Sequence, residues 1–79
     1  MKILKGQELN DFIEAILLSS EDPVTINEIK ELTKGSATNL DINNALEEIK
    51  LNWEGKSVEL TQVASGWRFQ VTQKMQRFI

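Results

Sequence analysis

The chain contains no cysteine, no histidine and no tyrosine. Without cysteine there is no disulfide framework and no thiolate site, which fits a reducing compartment. Without histidine the commonest metal ligand and the commonest general base are both missing. The usual nucleophile–base pairs go with them. There is one proline, and the four glycines are isolated, so no glycine-rich phosphate loop exists. No run approaches the ~20 apolar residues of a membrane helix. The opening "MKILKGQELN" has no signal-peptide apolar stretch. Net charge is −3, whereas domains that grip phosphates normally carry the opposite balance. What remains is a 79-residue chain with 41% apolar residues. Such a length makes one domain with one modest core, burying about 60–65% of its unfolded surface.

Periodicity supplies the elements. Leu9, Phe12, Ile13, Ile16 and Leu17 recur on one face of a helix, with Asn10, Asp11 and Glu14 on the wet side. "SSEDP" ends it near Ser19–Ser20, because Pro23 disfavours helix in the residue before it. Thr25 and Glu28 have capping-box spacing, with Val24 and Ile29 at the staple positions. A short helix follows with Ile26, Ile29 and Leu32 inward, stopping at Gly35. Asp41 is a plausible N-cap for a third helix whose inner face is Ile42, Ala45, Leu46, Ile49 and Trp53. Gly55 fits its C-terminal stop.

"VELTQVASGWRFQVT" then reads as a β-hairpin with its turn at Ser65-Gly66. In that register Ala64 faces Trp67, Gln62 faces Phe69 and Leu60 faces Val71. One face is largely apolar (Val58, Leu60, Trp67, Phe69, Val71) and the other largely polar. "TQKMQRFI" begins a fourth helix, capped by Thr72, with Met75, Phe78 and Ile79 as its apolar stripe. A helix that stops after two turns is marginal alone, so more protein is expected beyond residue 79. The predicted fold class is α+β: a winged helix, with a three-helix core carrying a helix-turn-helix, a β-hairpin wing and the start of a fourth helix.

Winged helices often read DNA with the third helix. Here that segment carries Asp41, Glu47, Glu48 and Glu54 against Lys50 alone, with no arginine to read guanine. Asn43 and Asn44 are the residues there able to read adenine, but exposed amides near a helix start are ordinary. The remaining cations, Lys56, Arg68, Lys74 and Arg77, are scattered. For an enzyme, Asp11 and Glu14 share a wet face, Glu47 and Glu48 diverge, and Glu21 and Asp22 sit in a loop, so no acid–base pair is assembled. For a binding module, two tryptophans in so short a chain are suggestive, since tryptophan is enriched at hot spots. Trp67 beside the hairpin turn, Trp53 at the end of the third helix and Arg68 on the outer hairpin face are the candidate protein interface. The competing reading places Trp53 as a cap on the core edge and Arg68 as a solubilising charge. For Trp67 the two readings balance. Phe69 belongs to the core.

"EGKSVELTQVASGWRFQVT" (Glu54 to Thr72) resembles the wing of the bacterial segregation and condensation protein ScpB family. The resemblance takes in "ALEEIK" (Ala45 to Lys50) and "AILLSSEDPVTINEIKELT" (Ala15 to Thr33), and spans roughly residues 9–79. It implies the N-terminal one of two tandem winged-helix domains, a homodimer, and binding to the kleisin ScpA and through it to the SMC ATPase. It implies a cytoplasmic, nucleoid-associated role in chromosome condensation and segregation, and no catalysis. No cofactor, metal, small molecule, membrane or sequence-specific nucleic acid is expected. The alternative is a winged-helix DNA-binding domain of a transcriptional regulator. A departure from the family is the missing second half: if kleisin binding depends mainly on it, this chain only dimerises.

Overall fold

The structure is a computed structural model and describes residues 3–79. Its elements are α1 (Gly6–Ser19), α2 (Ile26–Leu32), α3 (Asn39–Asn52), β1 (Val58–Val63), β2 (Gly66–Val71) and α4 (Gln73–Gln76). α1 packs on α3 and β2, α2 packs on α3, and β1 packs on α3. This is the expected winged helix.

On α1, Leu9, Ile13 and Leu17 are buried, as their spacing requires. Two assignments on this helix change. Asn10, expected in water, is buried, and Glu14 is half-buried. At the C-terminal end the hydroxyls of Ser19 and Ser20 donate to the Ile16 carbonyl at 3.1 and 2.7 Å. They satisfy a carbonyl that the ending helix leaves free.

α2 begins at Thr25, whose Oγ1 accepts from the Glu28 backbone N–H at 3.1 Å. The return bond differs from a full capping box. The Glu28 carboxylate accepts from the Thr25 hydroxyl at 3.3 Å, while the Thr25 nitrogen lies against the hairpin backbone at Gly66. Val24 and Ile29 are both buried, as the staple positions suggest. Leu32 does not point inward; it is 53% exposed. Four residues along a helix is nearer a full turn than three, so Thr33 takes the place below Ile29 instead. Thr33 is buried because its hydroxyl donates to the Lys30 carbonyl at 2.9 Å.

The start of α3 also differs. The N-cap is Thr38, and Asp41 is the third helical residue of a true capping box. The Asp41 N–H donates to Thr38 Oγ1, and the Thr38 N–H donates to Asp41 Oδ2, both at 3.1 Å. The helix therefore starts earlier, and Leu40 falls within it. Ile42, Ala45, Leu46 and Ile49 form the floor of the core.

The hairpin pairs Val58 with Val71, Leu60 with Phe69 and Gln62 with Trp67. The turn is therefore Ala64-Ser65, one residue earlier than predicted. Moving the turn by one shifts each partner by two, so every side chain keeps its face. A contact from outside the hairpin accounts for the shift. Val24 and Trp67 exchange two backbone hydrogen bonds of 2.8 Å, which makes Val24 a one-residue third strand. The Val24 carbonyl then lies so near Gly66 that a Cβ there would sit 2.6 Å from its oxygen. Gly66, at φ +139°, is consumed by this strand crossing and opens β2 instead of serving in the turn.

α4 is one turn long and has no side-chain cap from Thr72. Met75 is half-buried, while Phe78 and Ile79 are exposed. No helix among the described residues is long and apolar enough to cross a membrane.

Candidate protein interface

Trp67 lies inside the core, 5% exposed, beside Leu60 and Val24. Of the two balanced readings of Trp67, this burial supports the core. The bridge to Val24 pulls the start of β2 against the helices, and the ring goes with it. Its indole Nε1–H is buried and has no hydrogen-bond partner. As an interface residue, Trp67 has almost no surface to offer.

Trp53 ends α3 half-buried and is engaged on several sides. Its Nε1–H donates to Glu14 Oε2 at 2.8 Å. Its ring meets Phe69 with centroids 4.9 Å apart and planes tilted by 58°. Lys56 Nζ lies 5.8 Å from the ring centroid. Such a tilted pair is a favoured aromatic geometry. Trp53 therefore ties α3, α1 and the hairpin together at the core edge. The partner carboxylate on α1 was missed because helical periodicity assigns faces and says nothing of which helix lies opposite. Arg68 is exposed on the outer hairpin face, cross-strand from Thr61.

The structure adds a surface that periodicity did not single out. Leu40 and Leu51 are 68% and 65% exposed. They lie eleven residues apart on α3, about three turns, and so align on the face opposite the core. Asn44 and Glu47 lie between them on the same face and are exposed. In a DNA-reading winged helix this face enters the major groove. Here its centre is an amide and a carboxylate, flanked by the two leucines.

Among the described residues no three side chains of metal-ligating type cluster.

The family comparison covers most of this architecture. The model of the segregation and condensation complex subunit ScpB matches residues 11–79. The chain belongs to the ScpB family. A segregation and condensation protein B homolog from Coxiella burnetii is 37% identical over 60 residues, covering 73% of this chain and 29% of the relative. A conserved hypothetical protein from Chlorobium tepidum has a similar structure, with TM-score 0.79 and 26% identity over 91% of this chain and 46% of that one. ScpB from Mycobacterium tuberculosis superposes with TM-score 0.81 at 22% identity, over 91% of this chain and 45% of that one. An ScpB N-terminal domain, crystallised as a dimer complexed with a ScpA peptide, superposes with TM-score 0.79 at 13% identity. That match covers 91% of this chain and 90% of the domain. The last two likenesses show the shared fold. The chain spans less than a third of the Coxiella relative and just under half of the Chlorobium and Mycobacterium chains.

Proposed function

We propose that this ScpB-family chain is a non-catalytic interaction module of the bacterial SMC condensin, which self-associates and takes part in binding the kleisin ScpA. The SMC ATPase is then reached through the kleisin, at the nucleoid in the cytoplasm. On this reading the chain is the N-terminal winged helix of a two-domain protein. Its fit over nine-tenths of an ScpB N-terminal domain supports that placement. The same neighbour was crystallised as a dimer with a ScpA peptide, which supports both kinds of contact.

The observation that carries the reading is the outer face of α3. Leu40 and Leu51 stand in solvent on the surface a DNA reader would fill with cations. Exposed leucines flanking a carboxylate cost affinity for phosphate and suit a protein surface. Trp53 and Arg68 lie outside this stripe.

Sedimentation velocity of the chain, alone and mixed with its cognate ScpA, tests the proposal. The expected result is a concentration-dependent dimer and a co-sedimenting ScpA complex. Leu40→Ser with Leu51→Ser should weaken one or both while leaving the thermal melt nearly unchanged, because exposed substitutions usually move stability by no more than about 0.5 kcal/mol. A monomer at all concentrations, no ScpA complex, and salt-sensitive binding to duplex DNA would overturn it in favour of a DNA-reading domain.

A further inference from the structure

β1 is the open edge of the hairpin. β2 has β1 on one side and the Val24 bridge on the other, whereas β1 is paired with β2 alone. The ladder fixes which peptide groups of β1 are free. The Thr72 N–H donates to the Ser57 carbonyl at 3.0 Å, so these two form a hydrogen-bonded pair. Bonded and non-bonded pairs alternate along an antiparallel ladder. Glu59, Thr61 and Val63 therefore bond to β2, and Val58, Leu60 and Gln62 turn their peptide groups outward. No backbone bond from outside the hairpin reaches those three among the described residues.

Three features make this edge unfinished. Leu60 is 1% exposed, and peptide groups so buried are normally paired. A cleft of about 520 Å³ opens beside Leu60 and Gln62, and its far wall carries Lys50 and Glu54, long exposed side chains able to swing aside. The usual guards of a free edge are missing: no proline, lysine or bulge interrupts "VELTQV". On the outer face of the hairpin, Glu59 and Arg68 are exposed and have no partner among the described residues.

We propose that a second copy of this chain adds its β1 to this edge, antiparallel, with the two Leu60 residues facing each other on the two-fold axis. The inference rests on the reading that the chain self-associates, and it assigns the contact. Charge selects the register. Outward peptide groups must face each other, so the axis passes through Glu59, Leu60 or Thr61. An axis at Glu59 sets two carboxylates in opposition, which is destabilising. An axis at Thr61 puts an Arg68 at each end of one row, with no carboxylate between them. An axis at Leu60 places Glu59 of the second copy beside Thr61, whose other neighbour is Arg68. Strands two apart are separated by about 10 Å, a span that arginine and glutamate close over a short threonine. The two-fold repeats this ion pair. The strand that fits this edge thus reads carboxylate, apolar, hydroxyl, which is Glu59-Leu60-Thr61 itself. In the cleft Lys50 and Lys56 balance Glu54 and Glu59, so a chain of net charge −3 is not repelled there.

The test is disulfide trapping, for which a chain without cysteine is a clean background. Glu59→Cys and Thr61→Cys proteins are mixed and mildly oxidised, with sedimentation velocity of the parent alongside. Opposed non-hydrogen-bonded positions hold their Cα atoms about 4.5 Å apart, within disulfide range. Like positions lie about 7–8 Å apart, beyond it. The mixed disulfide should therefore dominate over both homodisulfides. Arg68→Glu should weaken the dimer about tenfold, since it turns two attractions into repulsions. Adding Glu59→Arg to it should restore the parental affinity, with melts unchanged because both positions are exposed. A parent that dimerises without giving the mixed disulfide would overturn this contact and leave self-association standing. Dominant homodisulfides would refute the register. A parent that stays monomeric, with no cross-link, would sink the inference and the self-association it rests on together.

Discussion

Trp67→Ala separates the two readings of the hairpin most sharply. The ring is 5% exposed and fills the junction of the Val24 bridge, β2 and the helical core. Truncating a buried tryptophan costs about 3–5 kcal/mol, because burial is lost and a cavity remains. A domain of this size has about 4–12 kcal/mol in total. The melting temperature of so small a domain falls about 4–8 °C for each kcal/mol. Trp67→Ala should therefore lose at least ~12 °C, and leave a large unfolded fraction if the parent is at the low end. Trp67→Phe isolates the indole N–H. It leaves a smaller cavity and removes a buried donor without a partner, itself a penalty of about 1–3 kcal/mol. Phe should thus recover most of the loss. Circular-dichroism melts of the three proteins, with sedimentation of each at a temperature where it is folded, provide the measurement. A Trp67→Ala protein melting within a few degrees of the parent, yet failing to assemble, would refute the core assignment. It would return Trp67 to the interface.

Three other outcomes are expected. Gly66→Ala should cost about 2–4 kcal/mol in urea unfolding, combining strain at φ +139° with loss of bonding to Val24. Hydrogen exchange at the Val24 amide should accelerate with it, and a Gly66→Ala protein of parental stability would contradict the close approach seen here. A double-mutant cycle with Glu14→Ala and Trp53→Phe should give a coupling of about 1 kcal/mol, below the ~1.5–3 of a buried hydrogen bond to a charged group because the pair is half-exposed; additivity within ~0.3 kcal/mol would mean that the contact contributes nothing. Thr38→Ala should cost about 1 kcal/mol through loss of the α3 cap, and an unaltered urea midpoint would move the helix start back to Asp41.

The sequence determined the elements and their faces. Leu9, Ile13 and Leu17, and Ile42, Ala45, Leu46 and Ile49, are buried as their 3.6-residue spacing demands. Alternation in the hairpin sent Leu60 and Phe69 inward even though the turn was misplaced by one residue. A two-residue period survives that error because it depends only on parity. The residues of the wing also carried the ScpB resemblance, which the family match over residues 11–79 bears out.

Tertiary structure decided what passes between elements. Local pattern placed Trp67 on the apolar hairpin face beside a turn; the Val24 crossing, 43 residues upstream in sequence, closed the core over it and took Gly66 out of the turn. Glu14 and Asn10 read as wet because both stand beside the apolar stripe of α1. Docking of α1 against α3 gave one a tryptophan partner and left the other buried at a cleft. Leu40 and Leu51 lie off the inner face of α3, and the same packing left them in water. A chain's own periodicity tells each side chain which way to face. Which surface waits on the other side is set by contacts between segments far apart in sequence, and these carry no local signal.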